Sequence, residues 1–310
     1  MDRAIRIVDK LINVVMVIFF LLLILIGGYA LFDSYKIYDD TRLDDEILNL
    51  KPSVDKDFNF TALQEINPDV EGWITIFGTT IDYPILHSKD NLDYLNLDYR
   101  KEYALGGSVF TDYRNARDFK DDYTIIYGHN MATGQMFSDV KRYEDREYFS
   151  KHLYGALYSR DKVYKIEVVY LAKVDAYKDD VYNLITYANG RNLELMSLVA
   201  ARALGANNVG GYEKLLLLST CDSYGSNDRT VLLVKLSDAE EEELSEMEEK
   251  ARKEMEEERN RGVGLEGGWA GFRSLGIWWI FPIIIIIIVI IRRYERESSR
   301  EHDEFVDIEL

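Results

Sequence analysis

The hydrophobic and polar positions change their period several times along this chain. Residues 11–31 are almost unbroken apolar sequence, interrupted only by Asn13, Gly27, Gly28 and Tyr29. At about 1.5 Å per helical residue, such a run spans a hydrocarbon core of about 30 Å. Residues 275–291 repeat the pattern, with Trp278 and Trp279 near the start and Arg292, Arg293 and Arg296 just beyond the end. Arg3, Arg6 and Lys10 precede the first run. Basic flanks at both far ends predict cytoplasmic termini and an outward-facing domain between two membrane helices. The first run is longer than the apolar stretch of a signal peptide and no A-x-A cleavage site follows, so it reads as a retained anchor.

Between the anchors the pattern shortens. Alternating or continuous β-rich runs occur at 73–77, 81–86, 108–111, 124–127, 163–174, 214–219 and 230–236, with Gly78, Gly106, Gly107 and Gly128 at their edges. Seven to eight short strands predict a mainly β domain with added helices, closed as a barrel or stacked as a sandwich. Helical spacing interrupts the strands at 60–66, at Met136, Phe137, Val140 and Tyr143, and again at Leu193, Met196, Val199, Ala200, Ala203 and Leu204, where Gly205 would close the helix. Residues 238–259 hold twelve acidic and four basic side chains around a narrow apolar stripe of Leu244, Met247, Ala251 and Met255. That composition predicts a solvated helical stalk. The expected organisation is a tail (1–10), a membrane helix (11–31), a linker with an N-terminal helical region (32–66) and a β domain (67–237). The stalk (238–261), a glycine-rich hinge (262–274), a second membrane helix (275–291) and a tail (292–310) follow.

Composition narrows the chemistry. The net charge is −18 over 310 residues, which argues against a nucleic-acid partner. The stalk supplies −8 of that charge. A single cysteine, Cys221, excludes an intramolecular disulfide and a cysteine-rich zinc site. The four histidines are scattered and no HExxH spacing occurs, so neither metal nor cofactor is expected.

Cys221 ends the run Leu215-Leu216-Leu217-Leu218-Ser219-Thr220 and precedes a polar loop. His129 follows the strand at 123–127 and Gly128, and Arg229 opens the strand at 230–236. Three strand ends can therefore bring together a thiol, an imidazole and a guanidinium. A thiolate is a nucleophile and a nearby imidazole favours it. The imidazole can return the proton to a leaving amine, and the guanidinium can hold a carbonyl or a developing oxyanion. Taken singly, the same residues also read as an inert buried thiol, a rim histidine and a salt-bridged arginine. A tethered hydrolytic cysteine protease and a non-enzymatic surface scaffold fit the same layout.

The sequence resembles the sortases, class B in particular. The words that carry the resemblance are Tyr127-Gly128-His129-Asn130, Leu218-Ser219-Thr220-Cys221 and Arg229 at a strand start. Gly72-Trp73-Ile74, Ile81-Asp82-Tyr83-Pro84, Lys89-Asp90-Asn91, Tyr94-Leu95 and Phe110-Thr111-Asp112-Tyr113-Arg114-Asn115 add to it. The helix before the cysteine strand is similar to a class B insertion. The resemblance implies a closed sortase-like β-barrel on the outer face of a bacterial plasma membrane. It implies a cysteine transpeptidase in which Cys221 forms a thioacyl enzyme with a C-terminal sorting signal of an Asn-Pro-x-Thr type. His129 would be the acid and base, and Arg229 the carbonyl clamp. Asn91, Leu95, Ser219 and Thr220 would bind substrate, with the loop around 177–189 contributing to specificity. Two features depart from many class B members, a shorter Cys-to-Arg spacing and a second anchor. The second anchor is more similar to pilus-assembling sortases and shifts the expected amine acceptor from a peptidoglycan cross-bridge toward a pilin lysine.

Overall fold

The computed structural model of the protein describes residues 2–52, 60–187, 190–207, 210, 213–221 and 227–260. The expected hinge, second membrane helix and C-terminal tail lie outside the described residues. The chain opens with α1 (Asp2–Asp40), within which residues 5–36 are long and apolar enough to cross a membrane. Two short helices, α2 (Asp45–Asn49) and α3 (Phe60–Ile66), lead into the β domain. Its elements are β1 (Val70–Ile76), β2 (Asp82–Leu86), β3 (Val109–Thr111), β4 (Tyr123–Tyr127), α4 (Ser138–Arg142), α5 (Arg146–Lys151), β5 (Tyr154–Ser159) and β6 (Val163–Asp175). Then come α6 (Leu184–Tyr187), α7 (Asn192–Ala200), β7 (Ala203–Ala206), β8 (Lys214–Cys221), β9 (Asp228–Asp238) and α8 (Glu241–Asn260).

Eight strands close on themselves in the order β5-β1-β2-β3-β4-β8-β9-β6, and β6 returns to β5. Closure removes the open edges that would otherwise pair with other chains. It depends on the length of β6, whose 13 residues pair with β9 along one side and with β5 and then β7 along the other. Most ladders are antiparallel, but β2–β3 and β4–β8 are parallel.

Alternate residues on the strands feed different apolar clusters. Ile74, Ile85, Val109, Ile126, Leu157, Ile166, Leu218 and Leu232 come from all eight barrel strands and fill the interior. On the outside, Ile125, Leu217 and Leu233 lie under Val181, Leu184, Leu195, Met196 and Val199 of the β6–β7 connection. A second outer cluster joins Trp73, Phe110 and Tyr158 to Ile47 of α2, Phe60 and Leu63 of α3 and Leu244 of α8. Strands buried on both faces read as continuous apolar runs, which is the pattern of β8.

The mainly β closed barrel expected from the sequence is present, but four local readings need correction. The strand β5 had no counterpart in the sequence pattern. A Cβ on its Gly155 would lie 2.3 Å from the carbonyl oxygen of Thr75, so close pairing with β1 requires the weak strand former that hides it. The helix expected to run to Leu204 ends at Ala200, and Ala203–Ala206 is strand β7, paired with β6. Gly205 is thus no helix terminator. It makes room for the Phe149 ring, 2.9 Å from where its Cβ would stand. Met136 has φ of 57°, so the helical spacing from Met136 to Tyr143 becomes a turn followed by the short α4.

The fourth correction concerns the acidic stalk. The first half of α8 is docked, not solvated: Leu244 is fully buried, and Met247 and Ala251 pack against the same cluster. Lys165 pairs with Glu243 at 2.6 Å and Lys51 with Glu248 at 3.8 Å. A narrow stripe suffices here because it covers the outer face of Trp73 instead of completing the barrel interior. Leu244→Ala is expected to lower the stability of the β domain by about 2–5 kcal/mol, the range for truncating a buried leucine. Denaturant unfolding followed by tryptophan fluorescence measures it. A loss within about 0.5 kcal/mol, as for a surface position, would return α8 to a solvated stalk.

Candidate active site

The site is set by three neighbouring strands. In the parallel β4–β8 ladder Tyr127 stands opposite Ser219, and the Gly128 N–H donates to the Ser219 carbonyl at 3.2 Å. Two residues further along each chain come His129 and Cys221, so one register delivers both side chains to the same rim. In the antiparallel β8–β9 ladder Cys221 is the direct partner of Arg229. The Asn130 side-chain amide donates to the Cys221 carbonyl at 3.1 Å and ties the histidine loop to the end of β8.

All seven residues expected at the site, Asn91, Leu95, His129, Ser219, Thr220, Cys221 and Arg229, line one cavity of about 210 Å³. Phe110, Tyr127 and Gly128 complete its walls. The Cys221 side chain is exposed at its mouth, whereas Ser219 and Thr220 are buried behind it. Thr220 Oγ1 is buried with no hydrogen-bond partner among the described residues. His129 Nε2 lies 2.9 Å from the Leu95 carbonyl oxygen. A carbonyl only accepts, so Nε2 carries a proton and, in the neutral ring, Nδ1 is the basic nitrogen. The same bond fixes the histidine ring to the segment that carries Leu95 and Asn91.

The sequence pattern gives no role to two aromatic residues here, Tyr127 in the cavity wall and Tyr182 behind it. Tyr182 OH shares a 2.8 Å hydrogen bond with Ser219 Oγ, and its ring stacks on Tyr127 with centroids 6.4 Å apart and planes 13° from parallel. Burial pushes the Tyr182 phenol up to about 12, against the opposing pull of the Arg229 charge, so it stays neutral at physiological pH. Burial and then the Asp112 carboxylate raise Tyr127 further still. No spacing rule links Tyr182 to Ser219, which is 37 positions away. Tyr127 and Asp112 did stand in the words that carried the family resemblance, but without a role.

A closed barrel that lines one cavity with a cysteine, an imidazole and a guanidinium is laid out for nucleophilic chemistry at a thiol. No family model matches the chain. Individual proteins do. The chain is 35% identical over 222 residues to Sortase B of Listeria monocytogenes, an alignment covering 65% of this chain and 89% of the relative. A crystal structure of a class B sortase of Streptococcus pyogenes involved in pilus biogenesis superposes with a TM-score of 0.53 at 31% identity, covering 58% of this chain and 98% of that one. The Staphylococcus aureus sortase B–substrate complex superposes with a TM-score of 0.53 at 28% identity, covering 58% and 85%. The chain belongs to the class B sortases and is a cysteine transpeptidase.

Proposed function

We propose that this sortase cleaves the C-terminal sorting signal of secreted surface proteins and transfers them to an amine. The observation that carries the reading is the single cavity shared by Asn91, Leu95, His129, Ser219, Thr220, Cys221 and Arg229. The Cys221 thiolate attacks the threonine carbonyl of an Asn-Pro-x-Thr-like signal held in that cavity. The S–C bond forms, and the peptide C–N bond then breaks as the His129 imidazolium gives its proton to the leaving amine. Arg229 holds the carbonyl oxygen while negative charge develops on it. An incoming amine attacks the thioacyl carbon, the C–S bond breaks and the thiolate returns. His129 accepts the proton that the amine sheds.

The acceptor we favour is a pilin lysine. The similar Streptococcus pyogenes enzyme is involved in pilus biogenesis. The basic flanks and second apolar run read from the sequence suit an enzyme held by two anchors. In this reading α1 holds the enzyme in the plasma membrane with the barrel outside and both termini in the cytoplasm. Incubating the full-length enzyme and a sorting peptide with a lysine-bearing pilin domain and with a peptidoglycan cross-bridge amine decides the acceptor. Mass spectrometry is expected to find the isopeptide on the pilin lysine. Product confined to the cross-bridge would make it a wall-anchoring enzyme, and free acid alone would make it a hydrolase.

Cys221→Ala is expected to abolish both thioacyl formation and transfer while changing stability by no more than about 1 kcal/mol, because the thiol is exposed. Intact-mass analysis of the enzyme–peptide mixture, with thermal unfolding alongside, measures both. Transfer by the folded variant would remove the nucleophile from Cys221. Arg229→Lys is expected to lose nearly as much activity as Arg229→Ala, about 100- to 1,000-fold, since lysine keeps the charge but not the planar fork. Near-normal kcat/KM in Arg229→Lys would show that charge alone is needed there.

A further inference from the structure

Asp112 is a carboxylate with no exposed surface. It is not among the residues lining the cavity, and the chemistry above gives it no task. An unpaired charge in such a place would be strongly unfavourable. Here it is surrounded by donors. Arg114 grips it with both arms of the guanidinium, Nε to Oδ1 at 2.8 Å and Nη2 to Oδ2 at 2.7 Å, and the Arg114 backbone N–H adds a bond of 3.0 Å to Oδ1. Tyr127 OH donates to Oδ2 at 2.8 Å and Asn91 Nδ2 donates to it at 3.0 Å. Burial works to raise its pKa, but these bonds win and hold the carboxyl below its ordinary range, so it is ionised at neutral pH.

Two of the three donor residues belong to the cavity walls. Asn91 and Tyr127 both line the cavity. Asn91 is held at its other end too, because its Oδ1 accepts the Tyr113 N–H at 3.0 Å. The second Arg114 contact runs to the β6–β7 connection, where Nη2 donates to the Tyr182 carbonyl at 3.2 Å. Tyr182 in turn stacks on Tyr127 and bonds Ser219. One carboxylate therefore ties the Asn91 segment, β4 and, through Arg114, the connection carrying Tyr182. Buried networks whose members are all satisfied specify a single geometry.

We propose that Asp112 is a positioning residue that sets the substrate groove at one width before the sorting peptide arrives. It acts through Asn91, Tyr127 and Tyr182 and makes no contact with the reacting atoms. A groove already held in its binding shape loses less conformational freedom when peptide binds. The contribution of Asp112 therefore falls on peptide binding and not on chemistry at Cys221. The proposal rests on the reading of this cavity as the peptide groove.

The test is steady-state kinetics of the full-length enzyme with a fluorogenic Asn-Pro-x-Thr-type peptide. Asn has the shape of Asp but puts an NH2 where an acceptor was, facing donors. Asp112→Asn is expected to raise KM about 10- to 100-fold, as for loss of charge-assisted hydrogen bonds. kcat should stay within about threefold, and Cys221 alkylation by iodoacetamide should keep its rate. Arg114→Lys keeps the buried carboxylate and loses the fork, and is expected to shift KM in the same direction. It carries the test if Asp112→Asn does not fold. A fall in kcat or in alkylation rate with KM unchanged would overturn the proposal, since Asp112 would then serve the reacting groups or the fold at large. Asn91→Ala and Leu95→Ala separate the two levels. If they raise KM and the Asp112 and Arg114 variants do not, the positioning role fails and the groove stands. If none of the four changes KM, the reading of the cavity as a peptide groove fails, and the positioning role with it.

Discussion

The register between β4 and β8 is the constraint on which the site depends. A slip of one residue would turn Cys221 to the opposite face of the sheet from the one it shares with His129. The leucines of β8 do little to prevent that slip. Leu216 and Leu218 face the barrel interior and Leu215 and Leu217 the outer cluster, so a shift by one merely exchanges leucine for leucine. The polar ends of the strand do the pinning. At its start Lys214 Nζ donates to the carbonyls of Phe119 and Asp121, and the Leu215 N–H donates to Asp122 at 2.8 Å. At its far end Ser219 bonds Tyr182, and Asn130 bonds the Cys221 carbonyl. Burial makes Lys214 a weaker base, and it retains three carbonyl and aromatic contacts in compensation, including the Tyr164 ring at 5.8 Å.

The helical additions follow from burial on both faces of the sheet. A barrel whose strands were apolar only inward would need no cover. Here β8 and β9 are apolar on both faces, and the β6–β7 connection closes over one outer patch while α2, α3 and α8 close over the other. The first cover has a second consequence. Packing α6 and α7 on β4, β8 and β9 places Val181 over the start of β4, where its carbonyl accepts from Tyr123 OH at 2.8 Å, and sets Tyr182 against Tyr127 and Ser219. The same connection that shields the sheet thus backs two residues of the cavity wall, Tyr127 and Ser219.

Much of this was legible along the chain because it depends on local period and side-chain chemistry. The apolar run of α1, the helix at Phe60–Ile66, most barrel strands and the strand-end positions of His129, Cys221 and Arg229 are all local features. A lone thiol at the end of an apolar run is visible without coordinates, and so is the set of motif words around it. That these residues share one cavity needed the β4–β8–β9 pairing.

What only the tertiary structure decided are the features whose cause lies in a distant partner. Gly155 and Gly205 weaken the strand signals of β5 and β7, yet each is a glycine because of a neighbour remote in sequence, the Thr75 carbonyl for one and the Phe149 ring for the other. The acidic pattern of α8 describes its solvent face correctly but says nothing of the Trp73 surface that buries Leu244. Asp112 and Tyr182 carry no periodic signal at all, because hydrogen bonds between loops obey no spacing along the chain. Sequence determined which chemistry this protein carries. The closing of the barrel, by fixing which strand ends and loops become neighbours, decided where that chemistry could meet a substrate.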